Sequence, residues 1–297
     1  MAATADKRGP AQRKYGHPRP ARVKRMSEGH IKAFTKAIDS IDRSKSRREI
    51  FGDFCELAYC ALAKAASPSE QQREALERQY MEVVARYRNK DDIRRMPELL
   101  GITIEALNHG GIDFLGSVAG ELEVLDAKLG QFFTPYDISR CMAELTLSDV
   151  AKTIDEQGFV TVQEPAAGAG SMVIAVADVV ENLGYSPDTH LWVEAIELSR
   201  ATFHMAYIQI NARGVAGKVI NGNALTLENF TTSLTAGASV FYAANGDPFA
   251  KQRAAAREQA EAEEMRNAER QAERAKRLQT LGKNNDYVPA TQLGLFD

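Results

Sequence analysis

A short stretch that contains two glycines, Glu164-Pro165-Ala166-Ala167-Gly168-Ala169-Gly170, decides the fold. It follows the apolar run at residues 159–162, which is typical of a β-strand, and it precedes an apolar helical pattern. A chain that turns sharply from strand to helix favours glycine, because a Cβ would block the turn and the approach of a ligand. The pattern predicts a strand–turn–helix unit with a ligand site, although an ordinary turn explains a lone G-x-G equally well.

Three further apolar runs follow, at residues 191–193, 219–220 and 238–242. Helical patterns separate the earlier runs from one another. Strands that alternate with helices form parallel sheets with crossover helices. We therefore predict an α/β, Rossmann-like domain with about four parallel strands.

Polar residues stand where two of these strands end. Glu197 lies just past the second strand, and Asn223 follows the third. An acid at the first position can bind ribose hydroxyls, and a polar side chain at the second can meet an adenine edge. Each residue alone is also explained as a solvated strand end or a turn. Together with the glycine loop they predict one ligand site.

Helical patterns dominate the chain before this domain. Ser67-Pro68-Ser69-Glu70 is typical of a capping box with proline at the first helical position. Residues 250–281 carry 14 charges of both signs and few large apolar side chains, which predicts a helix with little to bury. The predicted organisation is a disordered basic tail (1–26), an all-helical domain (27–128), the Rossmann-like domain (129–249), a long charged helix (250–281) and a flexible tail (282–297).

Charge is distributed unevenly along the chain, whose formal net charge is −3. Residues 1–26 hold eight basic residues and one acid, a charge of +7, which leaves −10 for the other 271 residues. A basic segment on an acidic body favours contact with DNA phosphates through the segment. A tail that only keeps the protein in solution is the alternative.

The composition excludes several classes of protein. Hydrophobic residues make up 44% of the chain, enough for a substantial core, yet no apolar run is long enough to span a bilayer. The N-terminus has no apolar segment typical of a secretory signal. Three cysteines without a CxxC pair favour neither a disulfide framework nor a metal site. We expect buried, reduced cysteines and a cytoplasmic protein.

The glycine loop and the earlier segment Gly130-Gln131-Phe132-Phe133-Thr134-Pro135 together resemble the paired motifs of N6-adenine DNA methyltransferases. The similarity is greatest to the modification subunit of type I restriction-modification systems, and it covers about residues 110–249. It implies an S-adenosylmethionine-dependent methyltransferase core and S-adenosylmethionine as cofactor. By resemblance, Phe133 and Thr134 would contact the methionine end. Glu164, Ala166, Gly168 and Gly170 would form the cofactor loop, Glu197 would bind the ribose, and Asn223 would replace the family's usual aspartate at the adenine.

The catalytic motif departs from that family. Asn/Asp-Pro-Pro-Tyr/Phe is expected after the fourth strand, where it holds the flipped base. This chain has Asn245-Gly246-Asp247-Pro248-Phe249 instead, with altered spacing and one proline fewer. Asn245, Asp247, Pro248 and Phe249 are the candidate catalytic residues. A displacement of roughly 1 Å can cost about a hundredfold in rate, so this departure puts activity in doubt.

A second departure concerns the sheet. The family has seven strands, yet no stretch after residue 249 is typical of a buried strand. The chain is interpreted as a shortened relative or as one completed by a partner, such as a specificity subunit. Two functions stay open: an adenine-specific DNA methyltransferase, weakened or partner-dependent, and an inactive methylase-like protein that acts through DNA or partners.

The C-terminal residues Gln292-Leu293-Gly294-Leu295-Phe296 resemble the peptide by which bacterial proteins bind the DNA sliding clamp. By resemblance, Leu295 and Phe296 would fill an apolar pocket and Gln292 would bond to its rim, with Leu293 beside them. A tail that folds back on its own core is the alternative.

Overall fold

The computed structural model describes residues 20–108, 110–124 and 133–283, with side chains described from residue 26 to residue 276 within those ranges. The chain forms two compact units, Met1–Gly246 and Asp247–Asp297. The first unit holds the helical part and the whole sheet.

Helices build the part of the chain before the sheet. They are α1 (Pro20–Ile38), α2 (Arg47–Ala66), α3 (Glu70–Ala85), α4 (Lys90–Arg94), α5 (Met96–Leu107) and α6 (Phe114–Glu121). α2 begins at a reciprocal capping box, in which the Ser46 hydroxyl accepts from the Glu49 N–H and the Glu49 carboxylate accepts from the Ser46 N–H.

Two helix boundaries differ from those predicted. α3 is capped by Ser69, whose hydroxyl accepts from the Gln72 N–H, and not by Ser67. The Ser67 hydroxyl instead donates to the Gln72 side chain, so Pro68 lies before the helix. α1 begins at Pro20, so the last residues of the predicted disordered tail are helical. Proline is well suited to a first helical turn.

The α/β part alternates helices and strands. Its elements are α7 (Tyr136–Thr146), α8 (Val150–Gln157), β1 (Val160–Glu164), α9 (Ser171–Asn182), α10 (Pro187–His190), β2 (Leu191–Glu197), α11 (Arg200–Ala212), β3 (Ala216–Asn223), β4 (Glu228–Leu234) and α12 (Ala236–Asn245). The sheet order is β1-β2-β3-β4. β1, β2 and β3 run parallel, so their carboxyl ends meet at one edge, here called the carboxyl edge. The α/β, Rossmann-like fold with a short sheet is thus confirmed.

The fourth strand is not the predicted one. Residues 238–242 lie inside helix α12, and the fourth strand is β4, which runs antiparallel to β3 after a hairpin. In α12 the side chains of Ala238 and Phe241 are buried, whereas Val240 and Tyr242 are exposed. A spacing of three residues between buried side chains is helical, and a five-residue apolar run does not distinguish helix from strand.

The helical part and the sheet share a hydrophobic core. One cluster joins Phe34, Phe54 and Phe114 of the helical part to Ile174 on α9 and Ile208 on α11. The predicted boundary at 128–129 therefore does not separate two cores, and the helical part is packed directly behind the strand–turn–helix unit.

The second unit contains α13 (Ala250–Lys283), a 34-residue helix in the place of the predicted charged helix. Its described side chains are nearly all exposed. None of the helices in the described ranges is long and apolar enough to cross a membrane. Cys55 and Cys60 are buried, but Cys141 is exposed, so the expectation of buried cysteines is wrong for Cys141.

Candidate cofactor site

The glycine loop connects β1 to α9 at the carboxyl edge. Gly168 and Gly170 have φ angles of +55° and +99°, a region that favours glycine because it has no Cβ. The Ala167 N–H donates to the Ile196 carbonyl at 2.9 Å, which ties the loop to the end of β2. The loop is therefore a tight, fixed turn.

Glu164 is the last residue of β1 and is half-buried. Its Oε1 accepts from the Ala166 N–H at 3.0 Å, which closes the first turn of the loop. Ala166 therefore contributes its backbone N–H to the loop, and its side chain takes no part in this contact. Within the described residues the second carboxylate oxygen of Glu164 has no hydrogen bond, so it can accept one from a ligand.

Glu197 ends β2 and holds three elements together. One carboxylate oxygen accepts from the Gly168 N–H at 2.8 Å. The other accepts from the Ser199 N–H at 2.8 Å and from the Thr202 hydroxyl at 2.9 Å. A carboxylate has about four acceptor positions, so one remains for a ligand hydroxyl.

Phe133 lies over the loop. A Cβ built on Gly168 would lie 3.5 Å from the Phe133 ring, which is van der Waals distance. Thr134 is the next residue and is exposed. The second motif of the sequence therefore meets the first, as far as the described residues 133–135 show. Residues 130–132 of that motif lie outside the described ranges.

Asn223 is the last residue of β3 and is engaged in a turn. Its Oδ1 accepts from the N–H groups of Leu225 and Thr226, at 2.9 and 3.3 Å. This Asx turn closes the hairpin to β4. Asn223 is thus at the carboxyl edge, and within the described residues its amide nitrogen has no hydrogen-bond partner.

Sequence reasoning missed several residues that support this edge. The Asn221 amide donates to the carbonyls of Glu197 and Leu198, both at 2.9 Å. It thereby fixes the end of β2. The signal was available, because Asn221 is the first polar residue after the apolar core of β3.

Sequence reasoning also missed two buried side chains behind the glycine loop, Gln209 and Asp113. The Gln209 amide on α11 donates to the Ala169 carbonyl and to Asp113, both at 2.7 Å, and accepts from the Leu115 N–H at 2.9 Å. Burial raises the pKa of the Asp113 carboxyl. These partners are 40 to 96 positions apart, so local sequence patterns do not indicate them.

The candidate catalytic residue Asn245 lies at the opposite edge of the sheet. Its amide donates to the Thr189 carbonyl at 2.8 Å, and Thr189 lies just before β2 begins. β2 has seven residues, so Asn245 and the Glu197 end of β2 are about 20 Å apart. The prediction that Asn245 follows the fourth strand at the carboxyl edge is wrong, because its segment folds as α12.

The other three candidate catalytic residues, Asp247, Pro248 and Phe249, belong to the second unit. Asp247 accepts from the Phe249 N–H at 2.9 Å and forms an ion pair with Arg253. These contacts are those of a helix start at α13.

A model of the N-6 DNA Methylase family matches residues 121–278, more than half of the chain. The chain belongs to this family. No curated protein sequence matches it. The match spans the glycine loop, the three parallel strands and most of α13.

Several solved structures resemble this chain at low identity. One is a Listeria monocytogenes protein assigned to the class I S-adenosylmethionine-dependent methyltransferases (13% identity, TM-score 0.37, 69% of this chain and 54% of that chain). Another is the DrdV–DNA complex (18%, 0.33, 65% and 22%). A third is the type I restriction-modification methyltransferase subunit from Streptococcus thermophilus (13%, 0.33, 68% and 59%). The chain thus spans between about a fifth and three fifths of the length of these proteins.

The residues at the carboxyl edge fit S-adenosylmethionine in part. Glu164 and Glu197 each keep an acceptor position for the cationic or hydroxyl groups of that molecule, and the loop glycines leave room for close approach. Two surface cavities, of about 340 and 470 Å³, are lined by other residues and lie elsewhere.

Proposed function

We propose that the chain binds S-adenosylmethionine at the carboxyl edge and is the cofactor-binding part of a DNA adenine-N6 methyltransferase of the type I modification-subunit kind. One observation carries the proposal: Phe133, the loop at Gly168 and Glu197 come together at the ends of β1 and β2. The family membership of the chain supports it.

The proposed roles follow from the contacts. Glu164 uses its second oxygen for the ammonium of the methionine end, and Glu197 uses its remaining acceptor position for a ribose hydroxyl. Gly168 and Gly170 let the backbone approach the ligand, and Phe133 and Thr134 border the methionine end. S-adenosylmethionine supplies an activated methyl group when it is bound. The protein's own contribution is to orient it.

We propose that methyl transfer by this chain alone is slow or absent. The location of Asn245 about 20 Å from Glu197 supports this, because a base held there would not reach a cofactor at the carboxyl edge. The alternative function, a methylase-like protein that binds the cofactor or DNA without catalysis, is favoured by the same observation. A specificity subunit or another partner could supply the missing base contacts.

Calorimetric titration with S-adenosylmethionine tests the cofactor proposal. The native chain should bind, and Glu197→Ala should bind about tenfold or more weakly, since a hydrogen bond to a charged group is worth about 1.5–3 kcal/mol. Thr202→Val is the matched control. It removes one hydrogen bond to Glu197 but keeps the carboxylate, so its affinity should stay within about threefold of native. Absence of binding by the native chain, or equal binding by Glu197→Ala, refutes the assignment.

A methyl-transfer assay on the same sample tests whether the chain methylates DNA without a partner. Labelled methyl from S-adenosylmethionine should not accumulate in DNA with the chain alone. Robust incorporation, recovered as N6-methyladenine, would show that the chain transfers methyl groups to adenine by itself.

The proposed partners are DNA, a specificity subunit and the bacterial sliding clamp. The clamp-like peptide lies outside the described residues, so its role stays a prediction from the sequence. Titration of purified clamp should show binding by the native chain at about micromolar affinity and none by a Leu295→Ala/Phe296→Ala variant. Equal binding by both chains would rule the peptide out.

A further inference from the structure

Helix α7 carries the segment that lies over the glycine loop, and besides the half-buried Tyr136 ring few of its side chains pack on the core. Phe133, Thr134 and Pro135 lead directly into the helix, which begins at Tyr136. Only Ser139 and Ala143 of α7 are buried. Its large apolar side chains are half to three quarters exposed: Ile138, Met142 and Leu145. Burial of so few atoms gives little free energy to fix the position of the helix.

Polar contacts fix it instead. The Tyr136 hydroxyl donates to the carboxylate of Asp178 on α9. One turn further along, the Ser139 hydroxyl bonds to the Ser171 hydroxyl at 3.0 Å in a buried position. Ser171 is the first residue of α9, directly after Gly170. α7 is thus tied to the helix that starts from the cofactor loop.

Asp178 is a rigid acceptor for the Tyr136 hydroxyl. It is 6% exposed and also accepts from the Gly111 N–H at 2.6 Å and from the Arg213 guanidinium at 2.7 Å. Arg213 is itself buried and donates further to Glu181 at 2.5 Å and to the Leu107 carbonyl at 3.1 Å. The carboxylate is therefore held by two groups besides the Tyr136 hydroxyl and has little freedom to move.

The phenol remains a donor at neutral pH. Burial, together with the neighbouring Asp178 carboxylate, raises the pKa of Tyr136. The neutral hydroxyl and the charged carboxylate form a charge-assisted hydrogen bond, which is stronger than one between neutral groups.

We propose that the Tyr136–Asp178 hydrogen bond is the positioning contact that holds Phe133 over Gly168, with Thr134 beside it, and so determines how tightly the methionine end of the cofactor is bound. Tyr136 and Asp178 are positioning residues and do not touch the ligand themselves. The inference rests on the proposed cofactor function.

The test compares two tyrosine-to-phenylalanine variants. Tyr136→Phe removes the hydroxyl and keeps the ring. Tyr87→Phe is the matched control, because the Tyr87 hydroxyl also donates to a buried carboxylate, Asp53, at 2.9 Å, but within the helical part. Both changes remove one hydrogen bond of the same kind, so both should lower the Tm by a similar amount.

S-adenosylmethionine titration distinguishes the variants. Tyr136→Phe should bind about threefold to tenfold more weakly than native, whereas Tyr87→Phe should bind as native. Native affinity in Tyr136→Phe overturns the proposal. Equal weakening in both variants also overturns it, because a general loss of stability would then explain the effect.

Hydrogen exchange of the cofactor-free protein gives a readout that does not depend on binding. Amides in the peptide that covers residues 133–146 should exchange faster in Tyr136→Phe and at the native rate in Tyr87→Phe. If the native chain binds no S-adenosylmethionine but the exchange differs as expected, the proposed function fails and the positioning contact stands. Unchanged exchange in Tyr136→Phe overturns the positioning contact itself.

Discussion

At the scale of single residues, a buried imidazole makes stability depend on pH. His204 on α11 is 4% exposed and stacks on the Tyr59 ring, with 4.6 Å between ring centroids. Burial, with a smaller contribution from the charge of Arg200, lowers the pKa of His204 to about 3. The His204 imidazole is therefore neutral in the folded protein at neutral pH.

His204→Phe should make the protein less sensitive to acid. Between pH 6.5 and about 3 the unfolded chain takes up a proton at this position and the folded chain does not, so native stability falls as the pH falls through this window. The contribution is up to about 1.4 kcal/mol per pH unit. Phenylalanine keeps a ring against Tyr59 and does not titrate.

Urea unfolding at several pH values from 8 to 4.5 measures this effect. The difference in unfolding free energy between native and variant should be constant above pH 7 and should shift in favour of the variant as the pH falls below 6.5. A difference that stays constant over the whole range would contradict the assignment.

Two acidic residues at strand ends each stabilise a turn, in addition to their proposed contacts with the cofactor. Glu164 and Glu197 were predicted as cofactor contacts, and the structure shows that each also closes its own turn. Substitution of Glu197 should therefore affect stability as well as affinity, which is why Thr202→Val is the appropriate comparison.

At the scale of elements, α12 decides the position of Asn245. The segment begins after Thr235 and is rich in alanine, a strong helix former. Phe241 packs against Trp192 at 5.2 Å and Phe159 at 5.0 Å between ring centroids, and both of those residues lie near the amino-terminal ends of the strands. This aromatic cluster holds the helix against the sheet and directs its C-terminus to the edge opposite the cofactor loop.

Asn245→Ala should leave S-adenosylmethionine affinity within about twofold of native and should lower the unfolding free energy by about 0.5–1.5 kcal/mol, the net value of its hydrogen bond to Thr189. Asn221→Ala is the matched control at the carboxyl edge. It removes two hydrogen bonds that fix the end of β2 beside Glu197, so it should weaken cofactor binding.

Calorimetric titration with S-adenosylmethionine measures the affinity of both variants, and denaturant unfolding measures their unfolding free energies. A large loss of affinity in Asn245→Ala would mean that Asn245 acts at the cofactor site after all. Native affinity in Asn221→Ala would mean that the end of β2 does not contribute to binding.

β1 is an edge strand of this sheet. Thr161 and Gln163 are exposed, whereas β2 and β3 are largely buried, and within the described residues β2 is the only strand that pairs with β1. The strands of a parallel sheet usually have both faces covered by helices, so the exposed side chains on one face of β1 are unusual. The position of β1 agrees with a sheet that is shorter than the family's seven strands.

At the scale of the whole molecule, charge separates the N-terminal segment from the rest of the chain. Because α1 begins at Pro20, deletion of residues 1–19 leaves that helix intact. The deletion removes five of the eight basic residues: Lys7, Arg8, Arg13, Lys14 and Arg19.

Deletion of residues 1–19 should weaken DNA binding and flatten its dependence on salt. Each phosphate contact contributes about −0.9 to the slope of log K against log salt, so the slope should become less negative by up to about 4.5. Fluorescence anisotropy with duplex DNA at several salt concentrations measures it. A chain of native length with these five residues changed to glutamine should behave like the deletion, and an unchanged slope in both would place DNA binding elsewhere.

Local patterns in the sequence were sufficient for the strand–turn–helix unit, the three parallel strands and the charged helix α13. Each depends on residues close together in the chain. The glycines at 168 and 170 meet a backbone requirement, the apolar runs at β1 to β3 fit strands with buried faces, and alternation with helices implies parallel pairing.

Tertiary structure alone decided the rest. The run at residues 238–242 fits a strand or a helix equally well, and the aromatic cluster around Trp192 selects the helix. The hydrogen bonds of Gln209, Asp178 and Asn245 join residues up to 96 positions apart. A polar side chain indicates that it needs a partner when buried, but which partner it meets depends on how distant elements pack. The glycine loop at the carboxyl edge could therefore be predicted from sequence, whereas the hydrogen bonds that support it and the location of Asn245 could not.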